Sequence, residues 1–198
     1  MDLAQLQPSR IITVARAAAA RPDTEFLCFG ESDQPFPASA AQALHDAIDR
    51  GDAKYSDVRG VPKLRPAIAH HLTDLHARHS GSPPFAQAGA LAAIADADFV
   101  DRFRAHCRQG RDLASAGLEG LNGVRYDPPD GAFAFIAIDG LEDSLDFALR
   151  LVHDHGVAVA PGIAFGQAGE GALRLCFAQS RPRMERAMER LRAGLQAR

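Results

Sequence analysis

Apolar residues recur at helical spacing over Ile11 to Ala20, an alanine-rich stretch that closes near Arg21-Pro22. A short apolar run, Glu25 to Phe29, then stops at Gly30-Glu31-Ser32-Asp33, where glycine and polar residues demand a turn. Pro35 and Pro37 keep the following loop extended. Ser39 is placed to cap a helix running to about Arg50, with Ala40, Ala43, Leu44, Ala47 and Ile48 on one face, and Gly51 ends it. A polar loop carries Lys54 and Tyr55 to Gly60. Pro62 then suits the first turn of a helix in which Leu64, Ile68 and Leu72 share a face.

From His76 to Pro84 the composition is that of a linker, and a second start follows it. Phe85 to Ile94 reads as a compact alanine-rich helix. Asp96 or Asp98 can cap a longer one, with Phe99, Phe103, Cys107, Gly110, Leu113 and Leu118 at helical spacing. Beyond Gly123 the period switches to two, and Val124 to Tyr126, Ala132 to Ile138, Val157 to Ala160 and Ala172 to Phe177 are predicted strands. Between them Ser144 caps an amphipathic helix to His155. A last helix runs from about Pro182 to Gln196 with Met184, Ala187, Met188, Leu191 and Leu195 inward. Phe133, Phe135 and Phe165 are expected in the core. The fold class is α+β: a C-terminal unit of strands covered by helices, preceded by a helical N-terminal segment.

Composition narrows the functional classes. The 198 residues are 46% hydrophobic and 24% charged, the balance of a globular protein, with a formal net charge of -3 that favours neither nucleic acid nor anionic membrane. No run approaches a membrane span and no signal pattern opens the chain, so a cytoplasmic setting is the expectation. Cys28, Cys107 and Cys176 lack metal spacing and are expected as reduced thiols. His70, His71, His76 and His79 have no acidic or cysteine partners at fixed spacing, so no metal site is predicted. Gly162, Gly166, Gly169 and Gly171 form a glycine-rich loop, but it leads into a strand and lacks the Gly-Lys-Ser/Thr of a nucleotide loop. Only Lys54 and Lys63 are lysines.

Short strings in a fixed order carry a resemblance. The first group is Phe29-Gly-Glu-Ser-Asp33, Pro37, Tyr55-Ser-Asp-Val-Arg-Gly60 and Leu64-Arg65. The second runs from Pro84-Phe85-Ala-Gln-Ala88 through Pro129-Asp-Gly-Ala-Phe133 and Pro161-Gly-Ile-Ala-Phe-Gly166 to Leu173-Arg-Leu175. They resemble, respectively, the N-terminal signature and the C-terminal small domain of the class I/II aminotransferases, pyridoxal-phosphate enzymes of fold type I. The resemblance implies residues 1–79 as N-terminal segment, 80–95 as a junction with a remnant helix, and 96–198 as the small domain. The large cofactor-binding domain that family members carry between these parts is missing. With it go the glycine-rich phosphate loop, the aspartate facing the pyridine nitrogen and the Schiff-base lysine.

Site residues carry over position by position. Arg174 matches the arginine that grips the substrate α-carboxylate, a task suited to a planar guanidinium that makes two parallel hydrogen bonds. Gly30 matches the glycine whose backbone amide approaches the same carboxylate. Tyr55 matches the tyrosine that reaches the cofactor phosphate of the neighbouring subunit in family dimers. Ala134 stands where the family often has tyrosine. Lys54 and Lys63 sit in polar surroundings, whereas a Schiff-base amine needs desolvation. The resemblance thus implies a relative of enzymes that transaminate an amino acid with a 2-oxo acid, without catalytic residues and not itself binding pyridoxal phosphate. The expected ligand is a small amino or 2-oxo acid, and the expected assembly a homodimer or a pairing with a full-length relative. A non-catalytic binding or dimerisation partner, or a decayed or deleted gene product, is the alternative. The N-terminal segment and the Phe85 to Ile94 helix, deprived of their large domain, are expected to pack on each other or on a second copy.

Overall fold

The computed structural model describes residues 9–52, 60–71 and 84–198. Lys54, Tyr55, Leu72, His76 and His79 lie outside the described residues. The chain divides into two compact units, Met1–Asp33 with Ala105–Arg198, and Gln34–Arg104. This division by compactness follows different boundaries from those implied by the family resemblance, which trace descent of segments.

The first unit is built on a four-stranded antiparallel sheet. Its strands are β2 (Val124–Tyr126), β3 (Phe133–Ile138), β5 (Ala160–Pro161) and β6 (Ala172–Cys176), in the order β2-β3-β6-β5. Alternation along β3 turns Ala134, Ile136 and Ile138 into the core, where Leu173 and Leu175 of β6 meet them, all at most 4% exposed. A second, parallel pair joins β1 (Glu25–Phe26) to β4 (Val157–Ala158). The predicted single strand Val157 to Ala160 is thus two short ones serving different sheets.

Helices cover the apolar face. α1 (Arg10–Ala19) buries Val14, Ala15 and Ala18. α7 (Arg181–Gln196) begins with Pro182 in its first turn and buries Met184, Ala187, Met188, Leu191 and Leu195, the set its spacing predicts. Buried Glu25 ties β1 to α7, pairing with Arg186 at 2.6 Å and Arg183 at 3.5 Å. α6 (Ser144–Arg150) continues through one π-type turn, Leu151–His155, which Gly156 closes at φ 67°. The expected cap is corrected here: Asp143, not Ser144, accepts the Asp146 N–H at 2.9 Å. Ser144 stands one residue inside, where its N–H donates to Glu170 Oε1 at 2.7 Å and its Oγ accepts from the Ile163 N–H at 3.1 Å. α5 (Ala97–Leu118) starts at Asp96, whose Oδ1 accepts the Phe99 N–H at 2.9 Å.

In the second unit α2 (Ala38–Asp49) and α3 (Leu64–His71) pack against α4 (Pro84–Ala95). Small residues permit close approach: a Cβ on Gly89 would stand 3.3 Å from the Ala40 carbonyl oxygen. α2 opens at Ala38 with Pro37 before it, and Ser39 Oγ donates instead to Asp96 Oδ2 at 3.3 Å. Ala40 and Ala47 are fully buried as the spacing predicts, but Ile48, expected on the same face, is 48% exposed in the last turn. Gln87 of α4 is buried and accepts the Val61 N–H at 2.7 Å, beside Gly60 at φ 82°. Among the described residues no helix is long and apolar enough to cross a membrane, and no cluster of three or more His, Cys, Asp or Glu could hold a metal ion.

Candidate functional site

Strand register places Arg174. In β6 it sits opposite Phe135 of β3 and Ala160 of β5, on the sheet face away from the core, because its neighbours Leu173 and Leu175 point inward. Phe133, two residues before Phe135, shares that face. The guanidinium is held between two phenyl rings, its Cζ 4.7 Å from the centroids of both Phe133 and Phe165. Phe165 also meets Phe135 edge to face at 5.3 Å. The three rings are 40%, 48% and 43% exposed for Phe133, Phe135 and Phe165, so the expectation of core burial is overturned. For Phe133 and Phe135 the physical reason is the strand period of two, since Ala134 and Ile136 already fill the apolar face; Phe165 ends the short turn Gly162–Phe165 instead.

The segment after β1 crosses the end of β6. The Leu27 N–H donates to the Ala158 carbonyl at 2.7 Å, and the Leu27 carbonyl accepts the Cys176 N–H at 2.9 Å. This brings the Cys28 carbonyl to Arg174, which donates to it through Nη2 at 2.8 Å. The Gly30-Glu31-Ser32-Asp33 turn is fixed by the residues following β6. Gln179 Nε2 donates to the Glu31 carbonyl at 2.7 Å, and the Ser180 N–H donates to Asp33 Oδ2 at 2.7 Å. Gly30 and Arg174, singled out from the sequence, both lie against Phe133: a Cβ on Gly30 would stand 2.8 Å from the Phe133 ring, over which the Arg174 guanidinium also lies. Tyr55 falls outside the described residues, and Lys63 is exposed in the turn before α3. Phe133, Phe165, Gln179 and Ser180 were missed as site residues. Period two in β3, combined with the position of Arg174, could have signalled Phe133.

Among the described residues Arg174 forms no ion pair, and its Nε is buried without a hydrogen-bond partner. Burial lowers the guanidinium pKa, opposed by the neighbouring Cys176 and Cys28 thiols. Burial likewise pushes the Cys28 thiol up to about 11, against opposing effects of a backbone hydrogen bond and of Arg174, and it raises Cys176 and Cys107. All three thiols are free and stay protonated near neutrality.

Asp33 anchors the turn. Burial on its own would raise its carboxyl, but hydrogen bonds from Ser180 and the charges of His106 and Arg183 outweigh burial and hold it below the ordinary carboxylate range. A folded-state pKa below the unfolded one gives stability that is present above about pH 4 and lost as pH falls through the folded value. The unfolding free-energy difference between the native chain and Asp33→Asn is expected near full size at pH 6 and to shrink below pH 4. Urea titrations at each pH check this, and a difference that grows on acidification would contradict it.

A family model described as aminotransferase class I and II matches residues 74–191, more than half of the chain. The chain belongs to that family. Among curated relatives of this aminotransferase-family chain, an LL-diaminopimelate aminotransferase of Natranaerobius thermophilus is 33% identical over 84 residues, 42% of this chain and 22% of that protein. An aspartate aminotransferase of Pyrococcus horikoshii is 29% identical over 135 residues, 65% of this chain and 34% of that protein. The matched stretches thus span about a third or less of these relatives' length. In fold the chain is similar to a crystal structure of an aminotransferase from Mycobacterium tuberculosis, with a TM-score of 0.82 at 16% identity, covering 100% of this chain and 99% of that one.

A cavity of about 810 Å3 lies elsewhere on this aminotransferase-family chain, lined by residues including Asn122, Asp139, Phe147, Arg150 and Arg198. Its polar groups already serve the fold: Arg198 donates to the Leu195 carbonyl at 2.9 Å and also to that of Asn122. The Arg174 cluster, with its unfilled cationic donor, is the better candidate.

Proposed function

We propose that this chain keeps the carboxylate-recognising part of a class I/II aminotransferase and does not transaminate on its own. The observation that carries the reading is Arg174, a partly buried guanidinium with no carboxylate partner and an unfilled buried donor among the described residues. A charge set among rings and backbone without a counter-ion is costly, and an anionic ligand removes the cost. A planar guanidinium takes a carboxylate edge-on by two parallel hydrogen bonds, and the Phe133 and Phe165 rings close to its Cζ favour approach at the edge. Gly30 supplies a second backbone donor once the Phe133 ring shifts. The ligand is a small amino or 2-oxo acid.

The residues present do not fit pyridoxal phosphate. The unfilled donor belongs to an arginine walled by phenyl rings, and neither an amine nor a phosphate cradle faces it among the described residues. Lys63 is solvated, and the family's internal segment with its lysine is missing from the sequence. Tyr55 and a second subunit keep the roles the resemblance implies, and pairing with a full-length relative would supply the remaining site. Borohydride reduction after incubation with pyridoxal phosphate is expected to leave no pyridoxyl group on Lys54 beyond that on a denatured control, as read by peptide mass spectrometry. Stoichiometric labelling of Lys54 or Lys63 in the folded chain, accompanied by turnover, would refute inactivity.

A further inference from the structure

The rings around Arg174 restrict what kind of carboxylate it can take. β3 and β6 present Phe133, Phe135 and Arg174 on one sheet face, and Phe165 closes over the guanidinium from the loop before β6. All three rings keep two-fifths or more of their surface open. Three solvent-facing phenyl groups around one cation are costly to hold in water, and a ligand that covers them recovers that free energy. Glu31 is close enough to oppose ionisation of the Cys28 and Cys176 thiols. A second ligand carboxylate would therefore meet rings or Glu31. Arg10 donates to the Ile163 carbonyl at 3.2 Å.

We infer that the Arg174 site selects monocarboxylates with an aromatic side chain, with Phe135 and Phe165 as the specificity-determining residues. The inference rests on the carboxylate-clamp reading above. The carboxylate meets the guanidinium edge, and the ligand ring lies on the open surfaces of Phe135 and Phe165, extending the edge-to-face stack those two already form. Aliphatic carboxylates fill the clamp but leave the rings wet. Dicarboxylates add a charge that finds no cation.

Isothermal titration of the full chain with 3-phenylpropionate, propionate and succinate tests this. Phenylpropionate is expected to bind about tenfold more tightly than either other acid, and Phe135→Ala to compress that ratio to about twofold. Phe135 is half exposed, so its truncation leaves the core intact, and circular dichroism melts confirm that each variant is folded. Equal affinities that still vanish in Arg174→Gln would overturn the selectivity and leave the clamp standing. Tighter binding of succinate would overturn it in favour of Arg10 as a second cation. Phenylpropionate binding untouched by Arg174→Gln, or no binding of any acid, would overturn the clamp as well.

Discussion

Gly110→Ala is expected to lower the unfolding free energy by about 3 kcal/mol, the upper part of the range for overpacking a core. A Cβ at this position in α5 would stand 1.9 Å from the Phe177 carbonyl oxygen and 3.0 Å from its carbon. The obstacle is backbone, so no rotamer change relieves it. Phe177 cannot retreat readily either: it is fully buried and its N–H donates to the Ala132 carbonyl at 3.0 Å. The helix must slide off the sheet, or the extension of β6 must give up that hydrogen bond. Urea unfolding followed by circular dichroism measures the change. A loss below about 1 kcal/mol would show that α5 is free to move.

Arg174→Met is expected to weaken binding of any small carboxylate by a hundredfold or more, since both charge-assisted hydrogen bonds disappear. Its effect on unfolding free energy should stay within about 1 kcal/mol. A structural arginine paired with a buried acid would cost roughly 3–5 kcal/mol when removed, because the acid is left behind uncompensated. Among the described residues no acid pairs with it, and the lost stacking on Phe133 and Phe165 is offset by relief of a buried, unfilled donor. The pair of measurements, ligand titration and urea unfolding, separates the two roles. Large destabilisation with little change in binding would make Arg174 a strut for the fold.

The α+β architecture was largely legible because its local signals agree. β2 matches its predicted span, β3 and β6 lie within theirs, and α7 buries the five predicted residues. Failures arose where a distant partner decides. Val157 to Ala160 looks like one strand, but Glu25–Phe26 claims its first half and β6 its second. Ser144 looks like a cap, but the carboxylate of Asp143 serves, and Ser144 is recruited by Glu170 and Ile163. In the site, Arg174 and Gly30 could be picked out by motif alone. That Phe133 meets both could not, since its contact with Gly30 joins residues about a hundred positions apart. The alternation of β3 does carry the orientation of its phenylalanines, and apolar composition masked it.

The strapping of the Cys28 to Asp33 turn by residues 174 to 180 bears on how the polypeptide matures during synthesis. These bonds span 145 to 148 positions. At about 5–20 residues per second, ribosomes leave the turn waiting roughly 7–30 s for its partners. Gln34–Arg104 can close up meanwhile as its own unit. Throughout that interval the apolar side of α1 and the β1 edge have no mate on the nascent chain. Trigger-type chaperones that shield exposed strands should therefore engage residues 10–33 for longer than any later stretch, and slowing translation after residue 104 should increase aggregation.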